Sequence, residues 1–350
     1  LNRIQAGQLP ADVTGGLPQF EAGKMSTRAA SGAVLSALAP LVPELWGGSA
    51  DLAGSNNTTM KGQPSFLPVD RASDDWEASA NGRVLHFGIR EHAMGGILNA
   101  INAGLTRAYG GTFLVFSDYM RTPPRLASLS HIPSIFVWTH DSIGVGEDGP
   151  THQPIEQIAS LRLIPGLDVI RPADANETAW AWREILAIKD HPTALILTRQ
   201  DVTTFDRGVG SGFAPASMMA KGAYTLVDAS SGQPAVVIIA TGSEVEIAVA
   251  ARTILEADGL PTAVVSAPCL EWFAAQPEDY RQQVLPAAAV KLSIEAGVTY
   301  GWSEIVGSQG RRIGIDHFGA SASADRLYRE FGLTAENLVA QAKELLGSVN

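Results

Sequence analysis

Short apolar runs alternate along the chain with amphipathic stretches, and turn-forming segments separate them. Residues 45–49, 83–88, 112–116, 135–138, 166–170 and 193–198 read as strands, bounded by turn-forming residues. Helices are expected between them. Val34, Leu35, Leu38 and Leu41 recur at the spacing of one helix face, with Ser26 or Thr27 in position to cap its start. Met94, Ile97, Leu98 and Ile101 make a second stripe, which puts Glu91 in the first turn of that helix. A carboxylate there is favoured by the helix dipole even without a function. A third helix is expected over 177–186. Strands alternating with helices predict a mostly parallel sheet.

The pattern pauses and then restarts. Residues 206–217, with Gly208, Gly210, Gly212 and Pro215, read as a linker. Beyond it, AVVIIA at 235–240 is a buried strand, and Gly242 and Ser243 lead into a helix. Ser243 and Glu246 have the spacing of a capping box. Strands are expected at 262–266 and 290–294, and a closing helix at 336–346. Residues 1–24 are polar and dotted with Gly and Pro, and 51–62 (DLAGSNNTTMKG) form a loop of turn formers, followed by an irregular acidic stretch over 61–81. The expected architecture is α/β with two domains, each a mostly parallel sheet flanked by helices. Linker residues 1–24 precede a first domain over 25–207, and 208–217 connect it to a second over 218–350.

Composition narrows the function classes. A chain of 350 residues suits two cores rather than one. Its 45% apolar and 17% charged content is that of a globular protein. A net charge of -11 argues against nucleic acid as a partner, since that needs a basic face. The same charge means that any anionic substrate must be held by locally gathered Arg and His. Cys269 stands alone, so no internal disulfide is expected, and the chain reads as cytoplasmic with Cys269 a small buried residue. No apolar run is long enough for a membrane span, and the N-terminus lacks a signal-peptide pattern. Because the first residue is Leu1 rather than Met, the chain is expected to be a piece of something longer or one subunit of a split protein.

Candidate chemistry concentrates in SIFVWTHDSIGVGEDGPTHQPIE, residues 134–156, which starts as a strand and becomes acidic and Gly/Pro-rich. Ligands in α/β sheets bind beyond the carboxyl ends of strands. His140, Asp141, Glu147, Asp148 and His152 are compatible with a metal site, a satisfied polar loop or a substrate-gripping loop. Phe113, Phe116 and Tyr119 follow one another at intervals of three, as core packing or as a pocket wall. Arg28 and Arg199 lie near expected element ends, where surface positions are the usual fate of an arginine.

Taken together, FGIREHAMGGILNAI, GGTFLVFSDYMR, THDSIGVGEDGPTHQPIE, RPADANE, LTRQ and IATGSEVE resemble transketolase. The resemblance runs from about Lys24 to the C-terminus and covers the family's pyrimidine-binding and C-terminal domains. It implies transfer of a two-carbon ketol unit from a ketose phosphate such as xylulose 5-phosphate to an aldose phosphate such as ribose 5-phosphate or erythrose 4-phosphate, in the pentose phosphate pathway. The implied cofactors are thiamine diphosphate and Mg2+. By the same resemblance, Glu91 hydrogen-bonds the cofactor's aminopyrimidine and activates it. Phe116 stacks on that ring, Phe113 and Tyr119 line the pocket, and Asp51 lies near the cofactor at a subunit interface. Asp148 reads a substrate hydroxyl, and His152 serves catalysis near the cofactor's amino group and the donor sugar. Arg28, Ser55, His140 and Arg199 grip the substrate phosphate, so that two Arg and a His form a cationic pocket on an acidic protein.

The thiamine family's diphosphate motif, Gly-Asp-Gly followed by Asn, has only a chance echo here in Glu147-Asp148-Gly149 and Asn176. The consecutive prolines of MRTPPRLA fall where a helix should start, a position that tolerates them. The domain carrying the true diphosphate and metal motif is not in this sequence. The implied partners are therefore sugar phosphates and a diphosphate-binding domain or subunit, within a homodimer of the complete enzyme, and the chain alone is expected to be inactive. Other readings are a thiamine enzyme of the same architecture (dihydroxyacetone synthase or a 2-oxo acid dehydrogenase E1 β subunit) and an inactive transketolase-like binding protein.

Overall fold

The computed structural model describes residues 1–349, and the apolar runs of the sequence form its two main sheets. A single turn, α1 (Asn2–Gln5), precedes β1 (Gly23–Met25), α2 (Thr27–Leu38), β2 (Leu45–Ser49) and the one-turn α3 (Ala53–Asn56). Then come β3 (Ser65–Phe66), β4 (Ala78–Ser79), β5 (Val84–His86), α4 (Glu91–Asn102) and β6 (Arg107–Phe113). A 3-10 turn at Leu114–Met120 leads to α5 (Thr122–Leu129) and β7 (Ile135–Thr139). After a second such turn at Ile143–Asp148 follow α6 (Gln157–Arg162), β8 (Asp168–Ile170), α7 (Ala175–Ala187), β9 (Thr193–Leu197) and β10 (Val202–Thr204).

The larger sheet has eight strands in the order β4-β3-β5-β2-β6-β7-β9-β8, with neighbours parallel throughout. Strands β7 and β9 are buried at every position, as befits a parallel sheet covered on both faces. Alternate residues serve opposite cores. Ile135 and Val137 face a cluster with Leu35, Leu38 and Trp182, whereas Phe136 and Trp138 face one with Met94, Leu98 and Leu161. Truncating Leu98 to Ala in such packing costs about 2–5 kcal/mol.

Several expectations shift by local geometry. The strand placed at 112–116 runs over Arg107–Phe113, and the chain turns immediately after Phe113. Gly110 and Gly111 had obscured its middle. A side chain at Gly110 would lie 2.6 Å from Leu98, so the helix packs onto bare backbone there. Helix α2 is capped by Ser26, which accepts from the Ala29 N–H, and it ends at Leu38, short of Leu41. The turn-rich stretch at 51–62 contains α3, and the stretch at 61–81 contains β3 and β4. The prolines of TPPRLASL do occupy the first turn of α5.

The second unit comprises β11 (Tyr224–Val227), β12 (Val236–Ala240), α8 (Glu244–Ala257), β13 (Thr262–Ser266), α9 (Leu270–Ala274) and α10 (Glu278–Val284). It continues with β14 (Val290–Ile294), α11 (Ser303–Val306), β15 (Arg311–Ile313), α12 (Ala324–Glu330) and α13 (Ala335–Val349). Its strand order is β11-β13-β12-β14-β15, parallel except for the edge strand β11. The capping box expected of Ser243 and Glu246 does not form. Ser243 donates to Glu244 (2.7 Å), and Glu246 is drawn across to the Thr203 N–H (2.9 Å). That bond belongs to the seam between the units, where β1 also pairs antiparallel with β10. Residues 23–24 of the expected first linker are thus strand. The second linker is pinned by Arg207, which donates to Asp174 (2.9 Å) and to Tyr224 (2.7 Å). Among the described residues no helix is long and apolar enough to cross a membrane.

Candidate active site

Parallel strands place all their carboxyl ends on one edge of the sheet, and in open α/β sheets that edge binds ligands. Across the successive neighbours β5, β2, β6, β7 and β9, the chain delivers Glu91, Asp51, Phe113, His140 and Arg199 to this edge. The row spans four strand spacings, roughly 20 Å. Residues far apart in sequence are brought into line by topology alone.

Glu91 opens α4 and is 8% exposed, and no described residue donates a hydrogen bond to its side chain. Next along the edge stands an aromatic wall. The rings of Phe113 and Phe116 stack at 5.6 Å and 17°, and Tyr119 follows at 5.8 Å from Phe116. A 3-10 turn has three residues per turn, so the interval of three in sequence puts these rings on one side. Phe116 is half-buried, whereas Tyr119 is 67% exposed. His152 meets Phe116 edge-on at 5.7 Å, and its Nδ1 lies 2.9 Å from Thr151 Oγ1.

His140 completes the wall. It adopts φ 61°, a left-handed conformation that costs a non-glycine residue about 1–2 kcal/mol. Its ring lies 3.7 Å from that of Phe113 at 28°. Thr139 Oγ1 donates to Asn56 Oδ1 (2.7 Å) and lies 2.8 Å from His140 Nδ1. With its one proton committed to Asn56, the Thr139 oxygen accepts from His140 Nδ1–H, which leaves Nε2 as an acceptor. Burial, and then the charges of Arg28, Arg199 and His152, push the His140 pKa down to about 3. The expected cationic trio is therefore a pair: His140 is neutral, and the charges are those of Arg28 and Arg199.

Those two arginines are set side by side by their neighbours. The Thr27 N–H donates to Thr198 Oγ1 (2.9 Å), and the Thr198 N–H donates to Thr27 Oγ1 (2.8 Å). Arg28 Nη1 donates to the Ser55 carbonyl (2.5 Å), while its buried Nε has no partner. Burial lowers the Arg28 pKa, and the charge of Arg199 lowers it further. Two guanidinium groups with an unfilled donor suit an anion. Ser55 joins them through its backbone, since its hydroxyl makes no bond to a described residue.

The remaining predicted residues are more dispersed. Asp51 is exposed at φ 62° just past β2. Asp148 ends the Ile143–Asp148 turn, exposed and without a hydrogen bond to a described residue. No metal-ligating set forms in this loop or elsewhere among the described residues. Asp141 instead points into the protein, where it accepts from Arg171 Nε (2.9 Å) and Nη2 (2.7 Å). Asn176 is equally committed, exchanging two hydrogen bonds with the Phe20 backbone (3.0 and 2.9 Å).

Two family models match the chain. "Transketolase, pyrimidine binding domain" covers residues 23–204, and "Transketolase-like TK C-terminal domain" covers 222–334. The chain belongs to the transketolase family. It is 54% identical over 356 residues to a transketolase of Mycobacterium bovis and 50% identical over 351 residues to one of Geobacillus stearothermophilus. These alignments cover 99% of this chain but only 50% and 51% of the relatives, so the chain spans about half their length. A transketolase variant from Pichia stipitis, solved with xylulose 5-phosphate, superposes with a TM-score of 0.91 at 39% identity, over 99% of this chain and 50% of that one. A split-gene transketolase described as an inactive β4 tetramer matches with a TM-score of 0.72 over 92% of this chain and 99% of its own. At 21% identity, that likeness concerns the fold alone.

The structure adds residues that had no assigned role, some of them inside the family motifs. Arg171 is wholly buried and reaches from Asp141 to Glu244 in the second unit. Gln153 Nε2 donates to the carbonyls of Gly146 (2.7 Å) and Ala320 (2.9 Å), and Ser321 Oγ donates to the Glu147 carbonyl (2.6 Å). The transketolase C-terminal domain thus braces the loop that carries Asp148 and His152. Signals for this were present: RPADANE and IATGSEVE each place a charge at the end of an apolar strand. Their partners lie too far off in sequence to be inferred.

Proposed function

We propose that this chain supplies the pyrimidine-side half of a ketol-transfer site of the transketolase type, acting on sugar phosphates with thiamine diphosphate. The observation that supports this most is the order along one sheet edge: a free buried carboxylate, an aromatic wall, and then a pair of arginines. The pyrimidine ring of the cofactor fits the first two. Glu91 has no protein donor and would take one from a ring nitrogen, and Phe116 offers a half-buried face. For the metal of the diphosphate, the described residues include no group of three or more His, Cys, Asp or Glu side chains that could hold it. Those ligands belong, in this reading, to a diphosphate-binding domain or subunit that closes over the edge, in a dimeric cytoplasmic enzyme.

The cofactor, when bound, supplies a carbon nucleophile able to carry a two-carbon unit. Glu91 holds the proton at the ring nitrogen and thereby sets the tautomer. Phe113 and Phe116 fix the ring plane and exclude water. Asp51 and Tyr119 border the cofactor at the open rim. His152, edge-on to Phe116, faces the donor sugar, and Asp148 reads one of its hydroxyls. Arg28 and Arg199 take the phosphate beside the Ser55 segment, and His140 adds a hydrogen-bonding nitrogen rather than a third charge.

The test is ketol transfer from xylulose 5-phosphate to ribose 5-phosphate with thiamine diphosphate and magnesium. It is run on the chain alone and again after addition of a transketolase diphosphate-binding domain. Turnover only after addition is expected. Turnover by the chain alone would overturn the half-site reading, and silence in both would overturn the assignment of activity.

A further inference from the structure

The side chain that ties the candidate site to the C-terminal domain is Arg171, at the carboxyl end of β8. It is fully buried and every donor is used. Nε and Nη2 bind Asp141 at 2.9 and 2.7 Å, and Nη2 also reaches Ser243 Oγ at 3.2 Å. Nη1 donates to the Thr241 carbonyl (3.1 Å), Thr241 Oγ1 (2.9 Å) and the Glu244 carboxylate. Gly242, at φ 51°, passes so close that a Cβ there would lie 2.6 Å from the guanidinium. Glu244 is held in turn by Tyr328 (2.8 Å), Ser243 (2.7 Å) and the Ala296 N–H (3.0 Å). Asp141 follows His140 directly, so the anchor sits one peptide from a ring that depends on an uncommon backbone conformation.

We propose that Arg171 is a positioning residue: through Asp141 it holds His140 in its left-handed conformation against Phe113, and through Glu244 it makes that placement depend on the docked C-terminal domain. Residues flanking His140 are clamped from two sides, Thr139 by Asn56 and Asp141 by Arg171. Neither clamp alone fixes the peptide between them. Releasing Asp141 frees the backbone to return to the more populated extended or right-handed regions, which swings the imidazole off Phe113. The C-terminal domain, which contributes no residue to the row along the sheet edge, then acts on His140 through this ion-paired link, alongside its hydrogen bonds to the loop of Asp148 and His152. Its value for turnover rests on the ketol-transfer reading, whereas the link itself is tested on the chain without any cofactor.

The test is NMR of the His140 Cε1–H signal, assigned by its loss in His140→Asn. In the native chain, the signal is expected upfield from the Phe113 ring current and silent to pH between 5 and 8. Asp141→Asn, and Glu244→Gln in the other domain, are expected to move it toward the position of an exposed histidine and to let it titrate near the ordinary histidine pKa. The groups facing this ring are Arg28, Arg199 and His152, and none is altered by these variants. Arg207→Lys disturbs a separate buried ion pair with Asp174 and is the control for general loosening. It is expected to lower Tm without moving the signal. Folded variants at Asp141 or Glu244 with an unchanged signal overturn the proposal, as does an equal movement in Arg207→Lys. Glu244→Gln keeps the shape of the side chain and is the variant to rely on if Asp141→Asn does not fold.

Discussion

The imidazole of His140 lies against the ring of Phe113, 3.7 Å between centroids and 28° between planes. That stacking removes the imidazole from water and leaves it neutral beside two arginines.

A stability signature follows from this burial. The folded pKa of about 3 lies below the unfolded value of 6.5, so between them the unfolded chain binds the extra proton. The contribution of His140 to stability is then complete above pH 6.5 and is lost as pH falls toward 3. Between pH 7 and pH 5 the loss is about 2 kcal/mol at most. Urea unfolding of the native chain and of His140→Asn at both pH values checks it. The native chain is expected to lose more than the variant.

His191 predicts the opposite slope. Its Nε2 lies 2.7 Å from Asp168, which also accepts from Trp272 Nε1 at 2.5 Å, and the Asp168 bond foremost raises the His191 pKa to about 9. With the folded value above the unfolded one, its contribution is full below pH 6.5 and lost as pH rises through 9. His191→Gln is expected to flatten the decline in Tm between pH 7 and 9.5. The ring is partly exposed, so the effect is small.

The pair Arg162–Glu295 is bidentate, with both contacts at 2.8 Å, and buried at the domain seam. Arg162 holds the Glu295 pKa down at about 2 despite burial. Arg162→Met leaves a buried carboxylate short of its cation and should cost about 3–5 kcal/mol. Acid unfolding reports the same link: the stabilisation present above pH 4.5 fades as pH approaches 2, and the variant, left with Arg171 and Thr241 around Glu295, has less of it to lose.

For function, Glu91→Gln is expected to lower turnover of the enzyme completed with its diphosphate domain about 100-fold or more. The Tm of the chain should barely change, because Glu91 has no protein partner to lose. A comparable loss in both would mark it as a helix-start residue only.

Arg28→Met and Arg199→Met should each raise KM for phosphorylated substrates roughly 10- to 100-fold, as expected of charge-assisted hydrogen bonds worth about 1.5–3 kcal/mol. His140→Asn should raise KM less than either, since it removes no charge. Steady-state kinetics with xylulose 5-phosphate separates the three.

The sequence by itself determined the strands with continuous apolar runs, the phase of α4 with Glu91 in its first turn, and the ring interval Phe113, Phe116, Tyr119. These follow from periodicities of two and about three to four residues, which a chain carries locally. The family motifs were legible for the same reason, being contiguous. Tertiary structure decided what depends on partners distant in sequence. Glu246 left its capping box for Thr203, Asp141 turned from the loop to Arg171, and Asn176 bonded Phe20. It also decided the charge of His140, because a pKa is set by burial and by the arginines that a parallel sheet gathers on one edge.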